Sequence, residues 1–109
     1  MTQSNILTTK KCVPCEGGVE PLSDEQIQNL LPQIPDWHLE GKTLQRTFRF
    51  KNFVKLMEFV NQMAKTAEDE GHHPDFSVHY NILDVSIWTH AVNGLTENDF
   101  ILAAKINGI

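Results

Sequence analysis

The hydrophobic period of this chain changes twice, and the two changes bound what it can fold into. Leu44, Arg46, Phe48 and Phe50 alternate with Gln45, Thr47 and Arg49, the period of two of a strand with one buried face. From Phe53 the period lengthens. Phe53, Leu56, Met57, Val60, Met63, Ala64 and Ala67 form one helical stripe, widened by Phe59, while Lys55, Glu58, Gln62, Lys65 and Asp69 fall on the wetter side. Asn52 is placed to cap this long helix, and Gly71 suits the left-handed residue that ends one. The period of two then returns. Phe76, Val78 and Tyr80 alternate with Ser77, His79 and Asn81; Leu83, Val85, Ile87 and Thr89 alternate with Asp84, Ser86, Trp88 and His90.

The flanks extend this pattern. Ser23 and Gln26 have the spacing of a capping box, followed by Ile27, Leu30 and Leu31, with Pro32 and Pro35 stopping a short helix. Trp37–Glu40 reads as a strand and Gly41-Lys42 as a turn into the next. Asn93-Gly94 is a second turn signal, and Thr96 to Asp99 opens a last helix as a capping box with Asp99 at its third position. The order is αββαββα. Short links between neighbouring strands favour antiparallel pairing, so the expected class is α+β: a four-stranded antiparallel sheet with helices packed on one face. Residues 23–109 form this domain. Residues 1–22, polar and rich in turn formers (Pro14, Gly17, Gly18, Pro21), read as an extended lead segment that docks on it. A chain of 109 residues, 40% hydrophobic and 21% charged, supports one modest core.

Several classes of function fit poorly. Fourteen acids against nine bases leave a net charge of −5, which opposes broad nucleic-acid binding. No apolar run is long enough for a membrane span, and the N-terminus lacks the apolar region of a signal peptide. With only Cys12 and Cys15 to pair, a reducing cytoplasm is the expected compartment. Those cysteines are spaced as CxxC but lack the preceding strand of a redox motif, and a zinc site needs two further ligands. A structural lead, a metal site and a redox pair all stay open there. There is no GxGxxG, GxSxG or HExxH.

The chemistry concentrates on histidines. Of five, His72 and His73 stand together in Gly71-His72-His73-Pro74-Asp75, where the long helix ends and a strand begins. Pro74 biases His73 toward an extended backbone, so both rings sit in a short, stiff junction. His90 lies at the end of the fourth strand, placed to approach them if the strands pair. Imidazole titrates near neutrality, and two such groups can move two protons in one turnover. Helix termination with surface polarity, acid–base chemistry and metal binding are the readings open for the pair. A single ion suits it badly, because successive strand residues point apart. His38 and His79 read as surface or structural residues. Glu68-Asp69-Glu70 reads either as a solvated acidic face or as the source of a carboxylate that orients a histidine, Glu68 lying one helical turn before His72.

The stretches Ala67–Asp75 and Trp88–Phe100, together with the lead Cys12-Val13-Pro14-Cys15-Glu16-Gly17-Gly18, resemble the pterin-4a-carbinolamine dehydratases over nearly the whole chain. The resemblance implies a hydro-lyase that removes water from 4a-hydroxytetrahydropterin to give quinonoid dihydropterin. It thereby recycles the cofactor of aromatic amino acid hydroxylases, with neither metal nor bound cofactor. By position, His72 and His90 match the acid–base histidines and His73 the pterin-binding one. Glu68 and Asp75 match acidic positions flanking the substrate. Val92 stands where some members have a cysteine. The family also implies a homodimer or homotetramer. Some animal members act as dimerisation cofactors of a transcription factor, so a non-enzymatic interaction protein of the same fold is the alternative. The apolar circumference of the last helix suggests a self-association surface, with Phe53, Phe59 and Met63 on the long helix and a free strand edge as further candidates.

Overall fold

The computed structural model describes residues 7–12 and 20–109. Pro14, Cys15, Gly17 and Gly18 lie outside the described residues. Helix α1 (Asp24–Leu30) runs into a 3-10 turn at Leu31–Gln33, followed by strands β1 (His38–Glu40) and β2 (Thr43–Arg49). Helix α2 (Phe53–Glu70) leads to β3 (Asp75–His79), β4 (Ile82–Ile87), a 3-10 turn at His90–Val92 and helix α3 (Glu97–Asn107).

The caps fall where the side chains dictate. Ser23 and Gln26 form a reciprocal box at α1, and the Asn52 carboxamide accepts the Lys55 N–H at 2.9 Å at the start of α2. Pro32 falls inside the 3-10 turn, where the α-helix has already ended.

The strands form one antiparallel sheet in the order β1-β2-β4-β3, so the class is α+β as the alternation implies. Register explains which face is wet. Leu44 faces Ile87, Phe48 faces Leu83, and Val78 also faces Leu83, which puts Leu44, Phe48, Leu83, Val85 and Ile87 of the central strands on one side. Helices cover that side. Leu56, Val60, Met63 and Ala67 of α2 meet Leu44, Leu83, Val85 and Ile87 in one core. The other face carries Gln45 opposite Ser86 and Thr47 opposite Asp84. Arg46, on the apolar side, lays its guanidinium 4.2 Å from the Phe48 ring centre.

Three features differ from expectation. First, β4 stops at Ile87 rather than running to His90. Thr89 N–H donates to Gly94 O at 2.9 Å, closing a tight loop whose turn residue, Asn93, has φ 53°. Second, α3 needs no partner subunit to cover it. Every residue from Asn98 to Ala104, and Ile106, is buried within one chain. Leu7 of the lead, only 1% exposed, belongs to the same core cluster. The lead is also not wholly extended, since Leu7 and Thr8 are helical and the Lys10 N–H donates to Leu7 O at 3.1 Å.

Candidate active site

Helix α2 ends at Gly71, whose φ of 67° puts it in the left-handed region that glycine adopts without penalty. The His72 N–H then reaches back to Ala67 O at 3.2 Å. This closure turns the chain sharply, and the extended residues that follow send their side chains in opposite directions. His72 points inward, its side chain 13% exposed; His73 points outward at 60%.

Each histidine of the junction meets its own carboxylate. His73 Nε2 lies 3.0 Å from Glu68 Oε1, one turn back on α2. His72 Nε2 lies 2.6 Å from Oδ1 of Asp99, which is fully buried. The other Asp99 oxygen accepts the Thr96 N–H and the Thr89 hydroxyl, both at 2.8 Å. A buried carboxylate is tolerable only when its lone pairs are satisfied, and here three donors converge on it. Because a carboxylate accepts, Nε2 of His72 is the donating nitrogen. The ring tautomer follows, and Nδ1 is left for other chemistry.

His90 stands on the loop that Thr89 and Gly94 close, its side chain 67% exposed. Its ring lies 3.9 Å, centre to centre, from that of Trp88, and the Trp88 indole N–H donates to Asp75 Oδ2 at 3.3 Å. These residues surround an open cleft of about 410 Å³, with His72, His73, Asp75, Trp88, His90 and Asn98 among its walls. The volume falls in the range of small-molecule sites. Four of the residues singled out from sequence are thus gathered at one place. Glu68 is not in the cleft wall; it reaches the site only through His73. His79, 3.2 Å from Ser77 Oγ, and His38, 3.6 Å from Glu40, stand outside the cleft.

The acidic run at the end of α2 is not a uniform solvated face. Glu68 pairs with His73 and Asp69 lies 3.6 Å from Lys65, whereas the Glu70 side chain is only 6% exposed. Glu70 accepts Lys105 Nζ at 2.7 Å and the Cys12 N–H at 2.8 Å. Burial pushes the Glu70 carboxyl up, but the Lys105 ammonium and the Cys12 N–H outweigh it and hold it below its ordinary value. Burial, aided by the nearby Glu70 charge, pushes the Cys12 thiol up to about 12. That thiol donates to Asn98 O at 3.5 Å, while Lys10 pairs with Glu97 at 2.7 Å. The lead therefore bridges the end of α2 and the start of α3, the two ends that carry His72 and Asp99.

Asp99 and Trp88 escape a reading of sequence alone. The capping-box spacing of Asp99 was the available signal, but a cap by itself does not reveal a second partner. Among the described residues, no group of three or more His, Cys, Asp or Glu side chains is arranged to hold a metal ion. Among them too, no helix is long and apolar enough to cross a membrane.

The family model described as pterin 4 alpha carbinolamine dehydratase matches residues 20–109. Relatives provisionally named pterin-4-alpha-carbinolamine dehydratases include one from Rickettsia canadensis, 50% identical over 103 residues, covering 93% of this chain and 94% of the relative. Another, from Nitrosospira multiformis, is 50% identical over 106 residues, covering 97% and 94%. A crystal structure of a transcriptional coactivator/pterin dehydratase from Brucella melitensis superposes with a TM-score of 0.77 at 34% identity, covering 82% of this chain and 97% of that one. With the family model matching most of its length and half of its residues shared with such relatives, this chain belongs to the pterin 4 alpha carbinolamine dehydratase family.

Proposed function

We propose that this protein removes water from a 4a-hydroxytetrahydropterin to give the quinonoid dihydropterin, through histidine acid–base catalysis. The observation that carries the reading is the His72–Asp99 pair at 2.6 Å, set in the same cleft as His90. In the reaction the bond from C4a to the hydroxyl oxygen breaks and the oxygen leaves as water after gaining a proton. N5 loses its proton, and the electron pair left there forms the C4a=N5 double bond. One base and one acid suffice, with no redox step. Each well-placed group contributes about 10²–10⁴-fold. His72, held in one tautomer by Asp99, suits proton removal at N5 through Nδ1. His90, open to solvent, suits delivery to the departing hydroxyl. His73 holds the pterin, steadied by Glu68, and Asp75 completes the polar wall. Residues 23–109 carry this chemistry, and residues 1–22 serve as the lead.

The proposed role is recycling of a pterin cofactor for an aromatic amino acid hydroxylase. We propose a homodimer or homotetramer as the working form, supported by the exposed Phe53 and Val54 on α2 and Phe76 on the edge strand β3. A scaffold without activity is the competing reading, suggested by the double name of the Brucella relative. It accounts for Asp99 as the cap of α3 but gives no use to its alignment on His72.

The deciding experiment is a dehydratase assay on chelator-treated protein, with His72→Ala, His90→Ala and the double variant. Each single change slows turnover about tenfold or more, and the double variant loses nearly all activity. Turnover in the folded double variant close to wild type would overturn the mechanism. Light scattering on the eluting protein reads the assembly; a fully active monomer would overturn the oligomer.

A further inference from the structure

We infer that Trp88 is a positioning residue for His90, with the face of its indole holding the imidazole and Asp75 holding the indole. The inference rests on the acid–base role proposed for His90.

The three histidines of the cleft are held in different ways. His72 and His73 are fixed by carboxylates at hydrogen-bond distance, 2.6 and 3.0 Å. Among the described residues His90 has no such bond; the carboxylate oxygen beside it, Asp75 Oδ2, is 3.9 Å from Nε2. It also sits on a loop, past the end of β4, with two-thirds of its side chain exposed. A ring so placed samples several rotamers, and proton transfer falls steeply when the acid is misplaced by even an ångström.

Trp88 supplies the missing restraint. Its ring centre is 3.9 Å from that of His90, with the planes tilted by 37°, so one face of the indole is committed to the imidazole. The indole is itself anchored. Its N–H donates to Asp75 Oδ2 at 3.3 Å, and its ring packs against the hydrophobic core. Asp75 begins β3 opposite Ser86 of β4, so this anchor belongs to the rigid sheet and not to the loop. The restraint therefore passes from sheet to Asp75, to indole, to imidazole. Among the described residues it leaves both ring nitrogens of His90 free of strong hydrogen bonds, as a group that must deliver a proton requires.

The test combines kinetics with a readout independent of activity. An imidazole lying over an indole has its carbon-bound proton resonances displaced by the ring current. In wild type the His90 resonances are expected to be displaced upfield, to be displaced less in Trp88→Phe, which keeps a ring face but has no N–H for Asp75, and to return to ordinary positions in Trp88→Ala. In parallel, Trp88→Ala lowers kcat about tenfold with KM within about threefold, and Trp88→Phe recovers only part of that loss. Undisplaced His90 resonances in wild type, or wild-type kcat in folded Trp88→Ala, overturn the inference. A raised KM with unchanged kcat also overturns it, by making Trp88 a wall for substrate instead. A wild-type protein without dehydratase turnover fails the functional reading alone, since the resonances still decide whether Trp88 holds His90.

Discussion

His72 and Asp99, separated by 27 residues, meet at 2.6 Å because the end of α2 and the first turn of α3 converge on one point. The same Asp99 carboxylate accepts the Thr96 N–H that opens α3. One side chain thus caps a helix and orients a ring, so the start of α3 cannot shift without moving the histidine.

Asp99→Asn keeps the size of the group but replaces a pure acceptor with an amide that also donates. His72 then loses the partner that selects its tautomer, and kcat is expected to fall by about tenfold to a hundredfold. The cap is partly kept, so urea unfolding should show a loss of only about 1 kcal/mol. A large stability loss with unaltered kcat would assign Asp99 to the helix alone.

His73 points away from the core and pairs with exposed Glu68, which suits a group that grips substrate more than one that shuttles protons. His73→Ala is expected to raise the pterin dissociation constant by about tenfold while kcat changes less. Titration of a non-reacting pterin alongside steady-state kinetics separates the two. Unchanged affinity with collapsed turnover would exchange its role with that of His72 or His90.

Leu7 is the lead residue sunk into the core, at 1% exposure. Leu7→Ala should cost about 2 kcal/mol in chemical denaturation, near the low end for a buried leucine, because the lead can detach rather than keep a cavity. A change below about 0.5 kcal/mol would mean that the lead contributes nothing to the core.

Glu70 joins the lead, α2 and α3 through Cys12 and Lys105. Its carboxyl is held below the ordinary value of 4.5, so its folded form binds a proton less readily than its unfolded form. The stabilisation is therefore present above pH 4.5 and is lost as pH falls through the lower folded value. Glu70→Gln should reduce stability at neutral pH and flatten the decline in acid. Parallel wild-type and Glu70→Gln melting curves from pH 7 to pH 3, on the order of that window, would contradict this linkage.

Local order was legible because it depends on neighbours in the chain. Alternation at Leu44–Phe50 and Leu83–Ile87, the stripe from Phe53 to Ala67, and the caps at Ser23, Asn52 and Gly71 all act within a few residues. Each has the same physical cause in an isolated segment as in the fold. The Gly71–Asp75 junction was readable for the same reason, since a left-handed glycine and a proline restrict the backbone wherever they stand. What joins distant segments was not readable. Asp99 carries only its capping signal until α3 is laid beside the end of α2. Trp88 reads as one more strand residue until β3 brings Asp75 beside it. Glu70 reads as part of a solvated acidic run until Cys12 and Lys105 close over it. The apolar girth of α3 suggests an open face because sequence cannot tell which of the sheet, α2 or the lead lies against each side. Period and propensity determine which residues turn inward; only tertiary packing decides which inward residues meet, and the geometry of this cleft is made of such meetings.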